Sequence, residues 1–570
     1  MNKCKKNLII IIFFLSTCIC FTISNFSKSL FLSADEMRYI SIARSIANGR
    51  NITYIHHIIT DYQKILYPLF ISPAYKIHDF HLQVTMVGLI NAVLMSSSVF
   101  PAYLLAKKYL NSHKQILLVC IFTILYPELV MTMTFMSENL YFPMVLWEIC
   151  LVNKLFEKRG DIKLLCLFGI WTYLLYLCKE VGICFLLGYI LMECFMALQK
   201  KKADWSLFRS IVLPVVSFLA LFIIAKSTIF SAMGNSYDQT SVNAILSSKA
   251  VIYFFYACIY YLIYVIIAFY FFPVLYCAFG WDKLSEYTKN MFVFLISMVF
   301  VLIGTVGYTI SIREDLGSLS PHLHMRYFAP LAVPFFVLFL QNFRSDDKFA
   351  LKKWQKYIMI VFIIVLVIIP NICQRGLMDS QNMEFYRCIC IALSKLFGRG
   401  GDILAYFIVK PIWLVMLLGG YYVIKKYPNR FLKYFIVTVF SLNIANFVLK
   451  YVEVRIFYSE SKETIADMQE LNEKLNSLTG DKLLIGKYLT DQTMELADTY
   501  LDDDDLYYTS EIAIENWEDI YPEKVPCTWP LVDYSNMGEI DYFVIDNDIN
   551  HEGLGVNEII WEGNHFSIWQ

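Results

Sequence analysis

Charge is scarce in this sequence. Of its 570 residues only 17% are Asp, Glu, Lys or Arg, while 58% are hydrophobic. A soluble globular chain averages about 25% charged and roughly 45–50% apolar residues. No basic patch interleaves with aromatics on a polar stretch, which argues against a nucleic-acid partner. No C-x-x-C pair occurs among the 15 cysteines, and eight of them (Cys18, Cys20, Cys150, Cys166, Cys178, Cys184, Cys194 and Cys258) lie inside apolar runs. There a thiol acts as a small hydrophobe. Cys527 is the single cysteine of the polar C-terminal stretch, so neither a disulfide framework nor a zinc site is expected. An internal repeat and a long low-complexity tract are also lacking. The formal net charge of −1 says nothing about partners, because here the distribution of charge matters more than its sum.

What the chain has instead is apolar runs such as Ile211–Ile224 and Tyr357–Pro370. About 20 apolar residues cross a hydrocarbon core at about 1.5 Å of rise each. The N-terminus, Met-Asn-Lys-Cys-Lys-Lys before Asn7–Ile23, has the look of a signal peptide, but no A-x-A-like cleavage site follows. It is read as a first span with its lysines inside. Counting by apolar length gives about thirteen spans, centred near residues 15, 94, 124, 146, 170, 189, 218, 264, 300, 335, 364, 413 and 441. Loops rich in Lys and Arg (107–114, 154–163, 200–209, 282–289, 344–356, 425–433) alternate with loops that mostly carry fewer (25–81, 127–137, 179–180, 231–250, 313–325, 371–402). The positive-inside rule then puts the second set outside. The expected product is an α-helical polytopic protein of the cell membrane, with a cytoplasmic N-terminus and a membrane domain over residues 1–450.

After Tyr451 the composition changes. Glu460–Leu478 carries Ile465, Met468, Leu471, Leu475 and Leu478 at helical spacing. The short apolar runs Leu483–Ile485, Leu506–Tyr508, Tyr542–Ile545 and Ile559–Trp561 read as strands, with a helix around Asp491–Leu501. Residues 451–570 are therefore expected to form a small extracytoplasmic α/β domain. The run Asp502–Asp505 lacks the alternating spacing of a calcium loop and reads as a solvated turn.

Ionisable residues at a membrane boundary are costly unless paired or functional. The first outside loop, residues 25–81, concentrates them: Asp35, Glu36, Arg38, Arg44, His56, His57, Asp61, Lys64, His78, Asp79 and His81. Within it Ala34–Ala47 has apolar positions at Met37, Ile40, Ala43 and Ala47, the pattern of a helix lying in the interface. Asp35 and Glu36 fall in its first turn, where the helix dipole favours negative charge. A capping pair, with Ser33 as an alternative cap, and a catalytic pair are both open on these residues alone.

The segment Ser33-Ala34-Asp35-Glu36-Met37-Arg38-Tyr39, directly after the first span, resembles the Asp-Glu-x-x-Tyr signature of GT-C glycosyltransferases, the kin of protein O-mannosyltransferases and lipid A aminoarabinose transferases. Lys64-Ile65-Leu66-Tyr67-Pro68 resembles the Lys–Pro segment later in that family's first loop, with one proline where the aminoarabinose enzymes tend to have two. Tyr126-Pro127-Glu128 and Ser137-Glu138-Asn139-Leu140 resemble the second outside loop. His324-Met325-Arg326-Tyr327-Phe328-Ala329-Pro330 resembles the Arg-Tyr-x-x-Pro segment opening a late span. The motifs cover roughly residues 1–340 and stand in the family's order.

The resemblance implies transfer of a sugar from a polyprenyl phosphate to an acceptor hydroxyl or amine of the cell envelope (a glycan, lipid or protein), usually with inversion. It implies Asp35 as the base that takes the acceptor's proton, with Glu36 beside it. Glu138 would orient the sugar or a divalent ion; a capping carboxylate is its alternative. Arg326, Lys64 and Arg38 would hold the donor phosphate, and a snorkelling anchor is the alternative for Arg326. His56, His57 and His324 lie in outside loops beside carboxylates and raise a divalent metal as a question. Their spacing fits no zinc motif, and interfacial histidines also bridge water and headgroups. Lys179–Glu180 is open between a structural ion pair and a wall of the donor groove. Two other classes compete with a transferase. A flippase or transporter of lipid-linked saccharides would show related halves and broken mid-membrane helices. A polymerase or ligase usually carries its large loop late in the chain.

Overall fold

The computed structural model describes residues 3–27, 34–49, 54–55, 58–59, 64–77, 79–200, 205–228, 248–313, 324–343, 351–370, 383–486, 501, 506–510, 531–532, 540–547, 549 and 558–570. Its helices begin with α1 (Lys3–Ser27), α2 (Ala34–Ala47), α3 (Leu66–Ile71), α4 (Phe80–Ser96) and α5 (Val99–Tyr109). They continue with α6 (His113–Ile124), α7 (Glu138–Glu157), α8 (Ile162–Cys178), α9 (Ile183–Lys200) and α10 (Trp205–Thr228). Further long helices are Ser248–Ala268, Glu286–Arg313, Lys353–Ile368, Arg399–Leu414 and Pro428–Leu475.

Each of the expected span centres falls in a helix. Among the described residues eight helical stretches are long and apolar enough to cross a membrane, or nine if the pair α6 and Pro127–Met133, bent by 43°, makes one span. The thirteen-span count is not reached on length and apolarity, for local reasons. Pro127 ends α6 in a 3-10 turn, because proline lacks the N–H that would continue the ladder. α7 carries Glu138, Glu148, Lys154 and Glu157. The helix Lys353–Ile368 has only 16 residues, and α8 and Ala329–Asn342 are short apolar helices. Outward faces are apolar where lipid is the solvent, as at Leu8, Ile11 and Phe14 on α1 and Val216, Ile223 and Ile224 on α10.

Interior contacts are built on small residues and interhelical hydrogen bonds, as expected where burial against lipid gives no hydrophobic gain. α8 meets α10 at Gly169, where an added Cβ would stand 2.2 Å from the Pro214 carbonyl oxygen. A side chain there forces two backbones apart. Gly169→Val is expected to destabilise the domain by about 3 kcal/mol, seen as a lower melting temperature in detergent; an unchanged melt would contradict this packing. α7 and α8 are tied by Thr172, whose hydroxyl donates to Glu148 Oε1 at 2.5 Å in the buried interior.

The C-terminal stretch carries strands at all four expected apolar runs and two more, Leu531–Val532 and Phe566–Trp569. A five-stranded mixed sheet has the order β4 (Leu506–Ser510), β3 (Asp481–Gly486), β6 (Ile540–Asp546), β8 (Phe566–Trp569), β7 (Ile559–Glu562). β3 is parallel to β4 and β6, and β8 is antiparallel to β6 and β7. The expected amphipathic helix is the end of Pro428–Leu475, with Ile465, Met468, Leu471 and Leu475 buried. Asp467 on that helix accepts from the backbone N–H groups of Asn564 and His565, which fastens the β7–β8 turn to it. The expected helix at 491–501 and the acidic turn 502–505 lie outside the described residues, Leu501 apart. A small second sheet joins β1 (Tyr54–Ile55) and β2 (Ile58–Ile59) of the first loop to β5 (Leu531–Val532) of the tail. That pairing brings Leu531–Val532 of the tail against the first loop.

Candidate active site

α2 begins at Ala34, so Asp35 and Glu36 stand in its first turn. Met37, Ile40 and Ala43 are buried as their spacing predicts. Tyr39, Ser41 and Ile42 are buried as well, so α2 is not a helix lying on an interface with one wet face. The physical reason is that its other side is also held. Tyr39 donates its hydroxyl to Ser137 Oγ at 2.9 Å and stands edge-on to the Tyr67 ring at 5.4 Å. Glu36 Oε1 accepts the Phe135 backbone N–H at 2.6 Å, so its carboxylate points at the second loop and pins α2 to it.

That second loop is itself fixed by asparagines. Asn139 Nδ2 reaches the carbonyls of Met131, Thr134 and Met136 at 2.9–3.0 Å. Asn91 donates to the Thr134 carbonyl and accepts from Tyr67, both at 3.0 Å. Buried backbone carbonyls need partners, and here side-chain amides supply them. The result is a fixed start for α7 and a fixed place for its first residue, Glu138.

Three cations meet these acids from separate segments. Lys64, just before α3, has Nζ 3.9 Å from Asp35 Oδ1. Arg326 sits in the 3-10 turn Met325–Tyr327, whose successor Ala329–Leu331 contains Pro330. Its Nη2 is 3.6 Å from Asp35 Oδ2 and its Nε is 3.2 Å from Glu138 Oε1. Lys179, in extended backbone between α8 and α9, pairs with the same Glu138 oxygen and lies 4.8 Å from the centre of the Tyr327 ring. The order along the chain of contacts is Lys64, Asp35, Arg326, Glu138, Lys179. Asp35 is the most open acid of the set: its side chain is 28% exposed, against 1% for Glu138.

Burial works to raise the Asp35 pKa, but the charges of Lys64, Arg326, Lys179 and Arg38 outweigh it and hold the carboxyl well below its usual range. Burial lowers the Lys179 pKa, and Glu138 opposes that. Because the Asp35 pKa is depressed in the folded protein, its anion persists as pH falls through the ordinary Asp value of about 3.9, and is lost only below it. The expected kcat/KM profile of the free protein therefore shows no acid limb from Asp35 between about pH 7 and about pH 5. A limb in that window that disappears in Asp35→Asn would contradict the ion-pair geometry.

The sequence-derived residues thus divide. Asp35, Lys64, Glu138 and Arg326 come together. Arg38 is half-buried on α2 and adds to the field at Asp35. Glu36 turns away from the cluster. His324 stacks on Tyr327 at 5.8 Å, and its backbone N–H donates to the Tyr261 hydroxyl. His56 and His57 lie outside the described residues. Among the described residues no group of three His, Cys, Asp or Glu side chains is arranged to hold a metal ion. Lys179 is the addition: its sequence signal was a charged pair inside a loop of minimal length between two apolar runs.

Fold and charged cluster define a polytopic helical membrane protein whose ion-pair chain joins the first turns of α2 and α7 to three segments between helices. No family model and no curated protein matches the sequence. Among solved structures the chain is similar to ArnT from Cupriavidus metallidurans in the apo state, with 13% identity, a TM-score of 0.53, and 97% of each chain covered. It is also similar to ArnT from that organism bound to undecaprenyl phosphate, with 14% identity, a TM-score of 0.53, and 98% of this chain and 97% of the other covered. At that identity the likeness establishes the fold alone: an ArnT-like, many-helix membrane architecture with a small C-terminal sheet, as expected from the sequence.

Proposed function

We propose that the protein is a glycosyltransferase of the EC 2.4 class that moves a sugar from a polyprenyl-phosphate donor to a cell-envelope acceptor. The observation that carries the reading is Asp35, the most exposed acid of the cluster, standing between the side chains of Lys64 and Arg326. Such a place suits both halves of the reaction. The acceptor hydroxyl or amine attacks the anomeric carbon, the carbon–oxygen bond to phosphate breaks, and Asp35 takes the acceptor's proton. Lys64 and Arg326, with Arg38 behind them, meet the departing phosphate: guanidinium as a fork, ammonium as a point charge. Glu138 holds Arg326 and Lys179 in position. Support for a lipid-linked donor comes from the ArnT structure bound to undecaprenyl phosphate.

The reaction is proposed for the outer face, with the N-terminus cytoplasmic, on the Lys/Arg content of the opposite loops. Residues 451–570 are proposed as an extracytoplasmic domain on that same face. The backbone pairing of β2 with β5 favours this side, since it joins the tail to the first loop.

Purified protein added to membranes of a deletion strain is expected to consume the lipid-linked sugar pool and release polyprenyl phosphate. Retention of the whole pool would overturn the proposal.

A further inference from the structure

Five alternating charges form the chain Lys64, Asp35, Arg326, Glu138, Lys179. Three cations face two carboxylates, a single net positive charge, to whose field at Asp35 Arg38 on α2 adds. A polyprenyl phosphosugar is a phosphodiester with one negative charge. After the sugar has left, the phosphate is a monoester whose second ionisation lies near pH 6, so at neutral pH it carries about −1.5 to −2. The reaction thus creates one negative charge on the leaving phosphate and one proton from the acceptor.

We propose that Lys64 and Arg326 are shared in turn: they pair with Asp35 before transfer and pass to the leaving phosphate as the acceptor's proton arrives on Asp35. This rests on the functional reading above. The balance closes at each stage. Before transfer the chain's net positive charge meets the donor's one negative charge. After it, the bond between anomeric carbon and phosphate oxygen has broken, and the acceptor atom holds the sugar. Asp35 is neutral, the chain's net charge is two positive, and the phosphate is a dianion. The two cations stand 3.9 and 3.6 Å from Asp35, at the margin of pairing rather than in tight contact. Glu138, almost wholly buried and already held by Lys179, has no such freedom.

Two consequences separate this from a site whose cations serve the phosphate alone. The first is that Asp35 competes with the phosphate for cations, so a neutral isostere binds product better. The second is that product binding favours protonated Asp35, so affinity falls as pH rises from the free carboxyl's pKa towards that in the complex. The charged groups facing Asp35 among the described residues are Lys64, Arg326, Lys179, Glu138 and, on its own helix, Arg38. Of these Lys179 also loses charge at high pH, but its effect survives in Asp35→Asn.

The test is binding of undecaprenyl phosphate to the full-length protein and to Asp35→Asn in detergent at pH 8, where the ligand is already dianionic. Asp35→Asn is expected to bind at least about tenfold tighter at pH 8, equivalent to about 1.4 kcal/mol. Equal or weaker binding by Asp35→Asn would overturn the hand-over while leaving a polyprenyl-phosphate site in place. Failure of the wild type to bind the lipid would overturn the functional reading and the hand-over together.

Discussion

Asp35→Ala is expected to lower sugar transfer by about 10³-fold, within the usual range for removing a positioned general base, while the protein still inserts and melts as the wild type does. The side chain is 28% exposed and lies at the rim of the ion-pair chain, so its loss opens no cavity in the core. Arg326 keeps Glu138 as its partner at 3.2 Å, and Lys64 gives up only a contact at the 3.9 Å margin of pairing. Activity and fold therefore separate in this variant. Transfer rate from a lipid-linked donor, set beside the melting temperature in detergent, checks both at once. A large fall in melting temperature with transfer retained per folded molecule would instead mark Asp35 as a helix-capping residue.

Arg326→Ala is expected to lower kcat/KM for the donor by about 10²- to 10³-fold, the scale of removing one preorganised donor from a developing anion. It is the one side chain of the cluster that touches both carboxylates, at 3.6 and 3.2 Å. Removing it takes away the chain's net positive charge and leaves Asp35 and Glu138 to Lys64 and Lys179 alone. Arg326→Lys restores the charge but not the fork, because an ammonium is a point charge on a flexible stem. It is expected to recover less than about a tenth of the lost activity. Full recovery by lysine would mean that the site reads charge without geometry.

Much of this was legible in the sequence because membrane chemistry is severe. A carboxylate or guanidinium at the edge of an apolar run has few excuses, so Asp35, Glu138 and Arg326 stood out, and the structure brings them together. Lys64 stood out only by its company with Pro68, yet it too reaches Asp35. Lys179 was harder to assign. Its neighbour Glu180 offered an obvious partner, whereas the structure pairs it across to Glu138, 41 residues away. Glu36 and Asp35, as adjacent carboxylates, look alike in sequence. On a helix they point about 100° apart, and the Glu36 bond to Phe135 shows where that leads.

The misjudged face of α2 has a related cause. Helical spacing of Met37, Ile40 and Ala43 describes one buried stripe, and says nothing of a polar residue such as Ser41 buried by contacts from other segments. In the tail, Phe566–Trp569 was missed as a strand because four residues after a turn give no periodicity. Its identity comes from register with β6, where Ile568 faces Val544. The span count suffered where proline and charge interrupt apolar runs, as at Pro127 and along α7.

The proposed reaction is transfer of a lipid-linked sugar through Asp35 to the cell envelope. The most direct measurement is the monosaccharide composition of the envelope in three strains: the parent, a deletion, and the deletion carrying Asp35→Asn expressed at the parental level. The expected result is loss of the same sugar substituent from the deletion and the Asp35→Asn strain, with accumulation of its polyprenyl-phosphate form. An unchanged envelope in the deletion, or a full return of the sugar with Asp35→Asn, would contradict the claim.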